Sequence, residues 1–142
     1  MDWKALNSAV IAEFRDNGGK VAQFGDLPVV ILHTIGAKTG RLLEVPLITV
    51  IENDGTMLLF GSNAGSDKHP VWLYNVRSHP RIKVELGAET FTAEIVELGE
   101  EERLRRIAIQ SERTPQFADY VASAAPRQIP VFEIRRLAQA VW

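Results

Sequence analysis

At 142 residues the chain is long enough for one domain with a real core, spanning 1–142, and too short for two comfortable ones. A hydrophobic fraction of 46% and a charged fraction of 24% are those of a soluble globular protein, and a formal charge of −2 lacks the basic footprint of a nucleic-acid or membrane-surface binder. The absence of cysteine excludes disulfides, thiol catalysis and thiolate metal sites. The start of the chain has no basic segment followed by a long apolar run, so no signal peptide is expected. No apolar run approaches the length of a membrane span, so no membrane insertion is expected and the cytoplasm is the expected location.

In chain order, Trp3, Leu6, Val10 and Phe14 recur at helical spacing, with Asp2 as the candidate cap and Gly18-Gly19 as the stop. Pro28 to Ile35 is β-branched and almost wholly apolar, the pattern of a strand buried on both faces. Gly36 to Gly40 is a turn. Val45 to Glu52 reads as a second strand, and Pro46 places it at an edge or a strand start. Asn53-Asp54-Gly55 is a hairpin turn, and Thr56 to Phe60 returns from it. Gly61 to Asn75 (GSNAGSDKHPVWLYN) leaves this strand through small residues and enters an aromatic helix, with Pro70 expected at its first position. The unpaired N–H groups and the dipole of a helix start favour an anion there.

The helix runs from Pro70 to Ser78. Two alternating strands follow, Arg81 to Leu86 and Glu89 to Leu98, turned at Gly87-Ala88. Glu100 to Glu112 begins acidic and ends basic, as a helix dipole prefers. Pro115 to Ser123 adds a helical turn or two, and Val131 to Leu137 closes the chain as a strand. About six strands with mostly hairpin links, and no strict βαβ alternation, predict a mainly β (α+β) fold, a small antiparallel barrel with peripheral helices.

Catalytic motifs are sparse. His33, His69 and His79 show no zinc-ligand spacing, no metal site is expected, and His33 inside an apolar strand reads as a packed, hydrogen-bonded residue. There is no nucleophile elbow and no complete phosphate-binding P-loop. What remains is binding chemistry: Lys38 and Thr39 in one turn, Ser62, Asn63 and Gly65 in another, and Lys68 near a helix start. If the strands pair, these converge on one rim. Such a site suits a cofactor that carries the reaction while the protein positions it. Trp72 reads equally well as the wall of a ring pocket or as core.

The motifs LHTIGAKTG, VPLI, NDGTMLLFGSNAG, KHPVWLYNVRSHPRIKVEL and TPQFADY…IPVFEI, with FRDNGGKV upstream, resemble in kind and order the deazaflavin-dependent nitroreductase (quinone reductase) family, over residues 11–135. The resemblance implies a split β-barrel related to FMN-binding proteins. It also implies coenzyme F420, whose reduced deazaflavin passes a hydride to a small-molecule acceptor such as a quinone, a nitroaromatic or a conjugated lactone like coumarin. Carried over by motif, Lys38, Thr39 and Gly40 would hold the phosphate of the coenzyme tail, and Pro46 and Leu47 would touch the ring region. Gly61, Ser62, Asn63, Ala64 and Gly65 would wrap the tail and ring edge. Lys68, Pro70, Val71, Trp72 and Asn75 would close the pocket, and Tyr120 would face the acceptor. The chain departs from the family pattern at Ala37, where an arginine is usual, and at Asn63, where a lysine is usual. Arg41, Lys68 and backbone N–H groups are the candidates to compensate. Two other readings stand beside this one: a related barrel binding FMN or FAD, and a non-enzymatic binder of a small apolar ligand or lipid. The sheet edges of such a barrel allow a homodimer.

Overall fold

The first helix, α1 (Trp3–Asp16), buries Ile11 and Phe14 and stops where the sequence turns to glycine. The computed structural model describes residues 3–138, so the candidate cap Asp2 lies outside the described residues. Seven strands follow: β1 (Val29–Ile35), β2 (Leu42–Ile48), β3 (Val50–Ile51), β4 (Met57–Phe60), β5 (Arg81–Leu86), β6 (Glu89–Glu97) and β7 (Val131–Arg136). Between them lie α2 (Val71–Ser78), α3 (Glu100–Arg113) and α4 (Pro115–Ala124). No described helix is long and apolar enough to cross a membrane.

The strands form one sheet in the order β2-β1-β5-β6-β7-β4-β3, and every pairing is antiparallel. β2 and β3 occupy opposite edges, yet only Thr49 separates them in sequence. A flat sheet cannot satisfy this, so the sheet curls until its edges meet. Thr49 is the seam: its N–H donates to the Pro28 carbonyl at 3.0 Å and its hydroxyl to the Leu58 carbonyl at 2.9 Å. The single strand expected over Val45 to Glu52 is therefore two. It begins earlier, at Leu42, and breaks at Thr49, because the chain changes partner there from β1 to β4. Pro46, which has no N–H to give a ladder, sits on an edge strand as expected. The barrel with external helices read from the sequence is the observed fold, with seven strands in place of about six.

Alternation sorts the apolar residues of β1 onto two faces. Val30 and Leu32 point inward to a core with Leu59, Val84, Phe132 and the α2 residues Trp72, Leu73 and Val76. Val29 and Ile31 point outward under α1, against Phe14 and Val21. Both faces of β1 are covered, which explains its unbroken apolar run. Trp72 belongs to this core, its ring edge-on to Phe132 with centroids 5.7 Å apart. Pro70 is not the first helical residue. Its ψ of 152° is extended and its carbonyl accepts from Leu73, so it caps α2 from outside. The late helix α4 is longer than a turn or two, running ten residues with Pro115 in its first turn.

Strand direction alternates across the sheet, so β1, β6 and β4 run the same way. The turn after β1, the loop after β4 and the exit of β6 therefore share one rim, and α2 lies across it. The seam holds this arrangement. Thr49→Val removes the hydroxyl and leaves the Leu58 carbonyl without its buried donor, and should cost about 1–3 kcal/mol. A lower urea midpoint with unchanged slope is the expected result; an unchanged midpoint would show that the edges are held elsewhere.

Candidate active site

On this rim a cleft of about 650 Å³ opens between the turn after β1 and the outer face of α2. Gly36, Ala37, Lys38 and Thr39 line one side, and Val71, Tyr74, Asn75 and Ser78 the other, with Leu43 of β2 also in the wall. The turn is closed by two backbone bonds, from Gly36 N to the Arg41 carbonyl (2.8 Å) and from Gly40 N to the Gly36 carbonyl (2.9 Å). The Thr39 hydroxyl accepts from Arg41 N at 3.2 Å. Buried Asn75 clamps the turn to the helix by accepting the Ala37 N–H at 2.9 Å. Turn and helix thus form one unit, with the Lys38 side chain exposed.

The loop after β4 is the second wall of the rim. Asn63, Ala64 and Gly65 all have positive φ, at 46°, 52° and 80°. Only glycine fits at 65, where a Cβ would lie 2.2 Å from the Ser123 oxygen and 3.1 Å from the Tyr120 backbone. This close approach brings Tyr120 of α4 against the loop. Ser123 donates to the Gly65 carbonyl at 2.7 Å, and Asn63 uses its side-chain amide to bond the Lys68 carbonyl at 3.0 Å.

The strongest organiser of the loop is Arg127, between α4 and β7. Its guanidinium donates to the carbonyls of Gly61 (2.9 Å), Ser62 (2.9 Å) and Ser66 (3.0 and 2.8 Å). It also donates to His69 Nδ1 at 2.8 Å. An arginine has only donors, so His69 Nδ1 accepts and the neutral ring carries its proton on Nε2. Burial, and then the charge of Arg127, push the His69 pKa below its ordinary value of 6.5. Desolvation likewise lowers Arg127 from its ordinary value.

Among the described residues most arginines pair with glutamates, for example Arg77 with Glu97 and Arg113 with Glu52. Lys38, Arg41 and Lys68 are in no ion pair among the described residues, and all three stand on or beside this rim. Elsewhere, on the outer face of the sheet, His33 Nε2 lies 2.7 Å from Glu85, and Arg15 bonds both Glu85 and Glu44. Ligand atoms of His33, Glu44 and Glu85 lie within 4.8 Å of one another, but Arg15 already supplies the positive charge there.

Of the expected site residues, Lys38, Thr39, Val71 and Asn75 line one cleft. Gly40 closes the turn behind them. Gly61, Ser62, Asn63, Ala64, Gly65 and Lys68 form the adjacent loop, with Tyr120 packed on it. Trp72 is core, and Pro70 caps the helix. Pro46 and Leu47 are further down β2 and face opposite ways: Leu47 pairs with Val30 on the inner face, which Leu43 shares, and Pro46 pairs with Ile31 under α1. Sequence reasoning missed Tyr74, although Val71, Tyr74, Asn75 and Ser78 repeat at the spacing of one helical face. It also missed Arg127, whose partners lie 58–66 residues away and leave no local signal.

Comparison with known proteins gives a consistent result. A family model for the F420H(2)-dependent quinone reductase matches residues 7–135. An F420H(2)-dependent quinone reductase of Mycobacterium tuberculosis is 27% identical over 129 residues, covering 88% of this chain and 86% of that protein. A solved F420-H2 dependent reductase matches with a TM-score of 0.64 at 34% identity, over 76% of this chain and 94% of its own. Another solved structure, described as a domain-swapped dimer, matches with a TM-score of 0.67 at 32% identity, over 94% and 98% of the two chains.

The His69 environment makes a prediction about stability. Its depressed pKa means that, between the folded value and about 6.5, the unfolded chain takes up a proton that the folded chain does not. Stability should therefore fall as pH falls through that window. His69→Gln should flatten this part of the profile, measured by urea denaturation from neutral pH down to about pH 5.

Proposed function

This chain belongs to the F420H(2)-dependent quinone reductase family, and from that premise we propose that it reduces an electron-poor small molecule with reduced coenzyme F420. Quinones, nitroaromatics and conjugated lactones such as coumarins are the acceptor classes put forward. When bound, the coenzyme supplies a hydride. The chain's part is to hold it, orient the acceptor, limit water and place a proton.

The residues present fit such a ligand. A flat ring with an anionic tail asks for a wall with apolar character beside free cations. The cleft offers Val71, Tyr74 and Leu43, with Lys38 on the facing turn. The observation that carries the reading is the gathering of the unpaired cations Lys38, Arg41 and Lys68 on that rim, in a chain whose net charge is −2. A neutral apolar ligand has no use for that charge.

In this proposal Lys38 and Thr39 hold the phosphate of the tail, and Asn75 keeps their turn in place through the Ala37 N–H. Ser62, Asn63, Ala64 and Gly65 contact the tail and ring edge, with Lys68 nearby. Val71 and Tyr74 form the apolar side. Tyr120, packed against Gly65, orients the acceptor and holds a phenolic proton at Oη for the reduced product. A homodimer is part of the same proposal, supported by the relative described as a domain-swapped dimer; light scattering on the purified protein reads it directly.

Two substitutions test the site. Lys38→Ala removes one charge-assisted bond of about 1.5–3 kcal/mol and should weaken coenzyme binding roughly ten- to a hundredfold in a fluorescence titration. A wild-type protein that binds no coenzyme F420 at micromolar concentration would overturn the proposal. Tyr120→Phe should lower kcat/KM for the acceptor by roughly tenfold or more and leave the coenzyme Kd unchanged. Unchanged turnover would remove Tyr120 from the chemistry.

A further inference from the structure

One guanidinium fixes the orientation of three peptide units in the loop after β4. Arg127 takes the carbonyls of Gly61, Ser62 and Ser66, which are 61–66 residues distant in sequence. A planar trans peptide points its C=O and the following N–H in opposite directions. The peptides of this loop are trans. With the Gly61 and Ser62 oxygens turned to Arg127, the N–H groups of Ser62 and Asn63 point away from it. Neither N–H has an acceptor among the described residues. Ser123 takes the Gly65 carbonyl from the same side. The Ser62 and Asn63 N–H groups are thus among the loop's free donors, since those of Gly61, Gly65, Ser66 and Lys68 already bond the Pro130, Ser62 and Asn63 carbonyls and the Ser66 hydroxyl.

Arg127 has no carboxylate within ion-pair distance among the described residues, unlike Arg77 and Arg103 nearby. Its positive charge is spent on carbonyl oxygens and on His69 Nδ1. Hydrogen bonds in series polarise one another, so a cation bonded to a carbonyl strengthens the N–H at the far side of that peptide. We propose that Arg127 is a positioning residue that acts through the peptides it holds, fixing the N–H groups of Ser62 and Asn63 as donors to the anionic part of the bound coenzyme. This deepens the coenzyme reading and rests on it. It also accounts for how the loop can take an anion with Asn63 rather than a lysine, because the Asn63 side chain is committed to the Lys68 carbonyl.

The test uses the full chain, labelled with nitrogen-15, in two titrations. With coenzyme F420, the Ser62 and Asn63 amides should shift in the wild type, and Arg127→Met should raise Kd by about tenfold or more, with Arg127→Lys between the two. The His69 nitrogens give a readout that general destabilisation does not move: Nδ1 is a hydrogen-bonded acceptor in the wild type, and Arg127→Met should release it and raise the His69 pKa. Coenzyme binding that leaves the Ser62 and Asn63 amides unmoved would overturn the inference while leaving the coenzyme reading intact. If no coenzyme binds, that reading fails, and titration with inorganic phosphate decides the inference alone. Shifts at the same two amides that disappear in Arg127→Met would retain Arg127 as the organiser of an anion site; no shift in the wild type would reject it. The wild-type titrations hold even where a variant does not fold.

Discussion

The fold depends on a constraint located at one residue. β2 and β3 are consecutive in the chain and lie at opposite edges of the sheet, so Thr49 must join the edges or the sheet cannot exist in this order. A buried threonine suits the position, because its N–H bonds the start of β1 and its hydroxyl bonds the middle of β4. With the curl fixed, antiparallel alternation puts the ends of β1, β4 and β6 on one rim. The two segments expected to hold a ligand, 25 or so residues apart, therefore stand on the same rim without any long excursion of the chain. On that rim turns accumulate over a packed core, the setting in which binding residues are commonly carried.

Electrostatics adds local positive charge to the rim. Glutamates neutralise most arginines in pairs such as Arg136–Glu89 and Arg105–Glu102. These pairs are solvent-exposed and add little to stability. Lys38, Arg41 and Lys68 stand outside these pairs, as do Lys20 and Arg81 among the described residues, and the first three lie on or beside the rim. A nearly neutral chain can in this way present a local cationic site, which its net charge conceals.

Much of the fold was legible in the sequence because it is written in local patterns. The apolar run of β1, the Asn-Asp-Gly hairpin and the glycine turn after β1 each depend on a few adjacent residues. The break at Thr49 was not legible, since nothing in Val45 to Glu52 records a change of partner strand. Pro46 did mark an edge, and the reason is physical: an absent N–H can be tolerated only there. Of the residues expected from their motifs to bind a ligand, Lys38, Thr39, Val71 and Asn75 share one cleft. Trp72 was ambiguous by sequence, and the packing against Phe132 assigns it to the core. Tyr74 was legible from helical spacing and was passed over. Arg127 was not legible, because its meaning lies wholly in carbonyls that the fold brings to it.

Asn63 and Ala64 tie these strands of argument together. Both adopt left-handed backbone, which costs a residue like alanine about 1–2 kcal/mol and asparagine less. A loop left to itself would relax out of that conformation. Here it is held by Arg127 on the carbonyls of Gly61, Ser62 and Ser66, by Ser123 on Gly65, and by the Asn63 amide on Lys68. The Arg127 bonds that help to hold this shape also turn the N–H groups of Ser62 and Asn63 away from the guanidinium. Holding the strained shape and leaving the Ser62 and Asn63 N–H groups free are therefore one structural task, with a guanidinium behind the peptides that carry them.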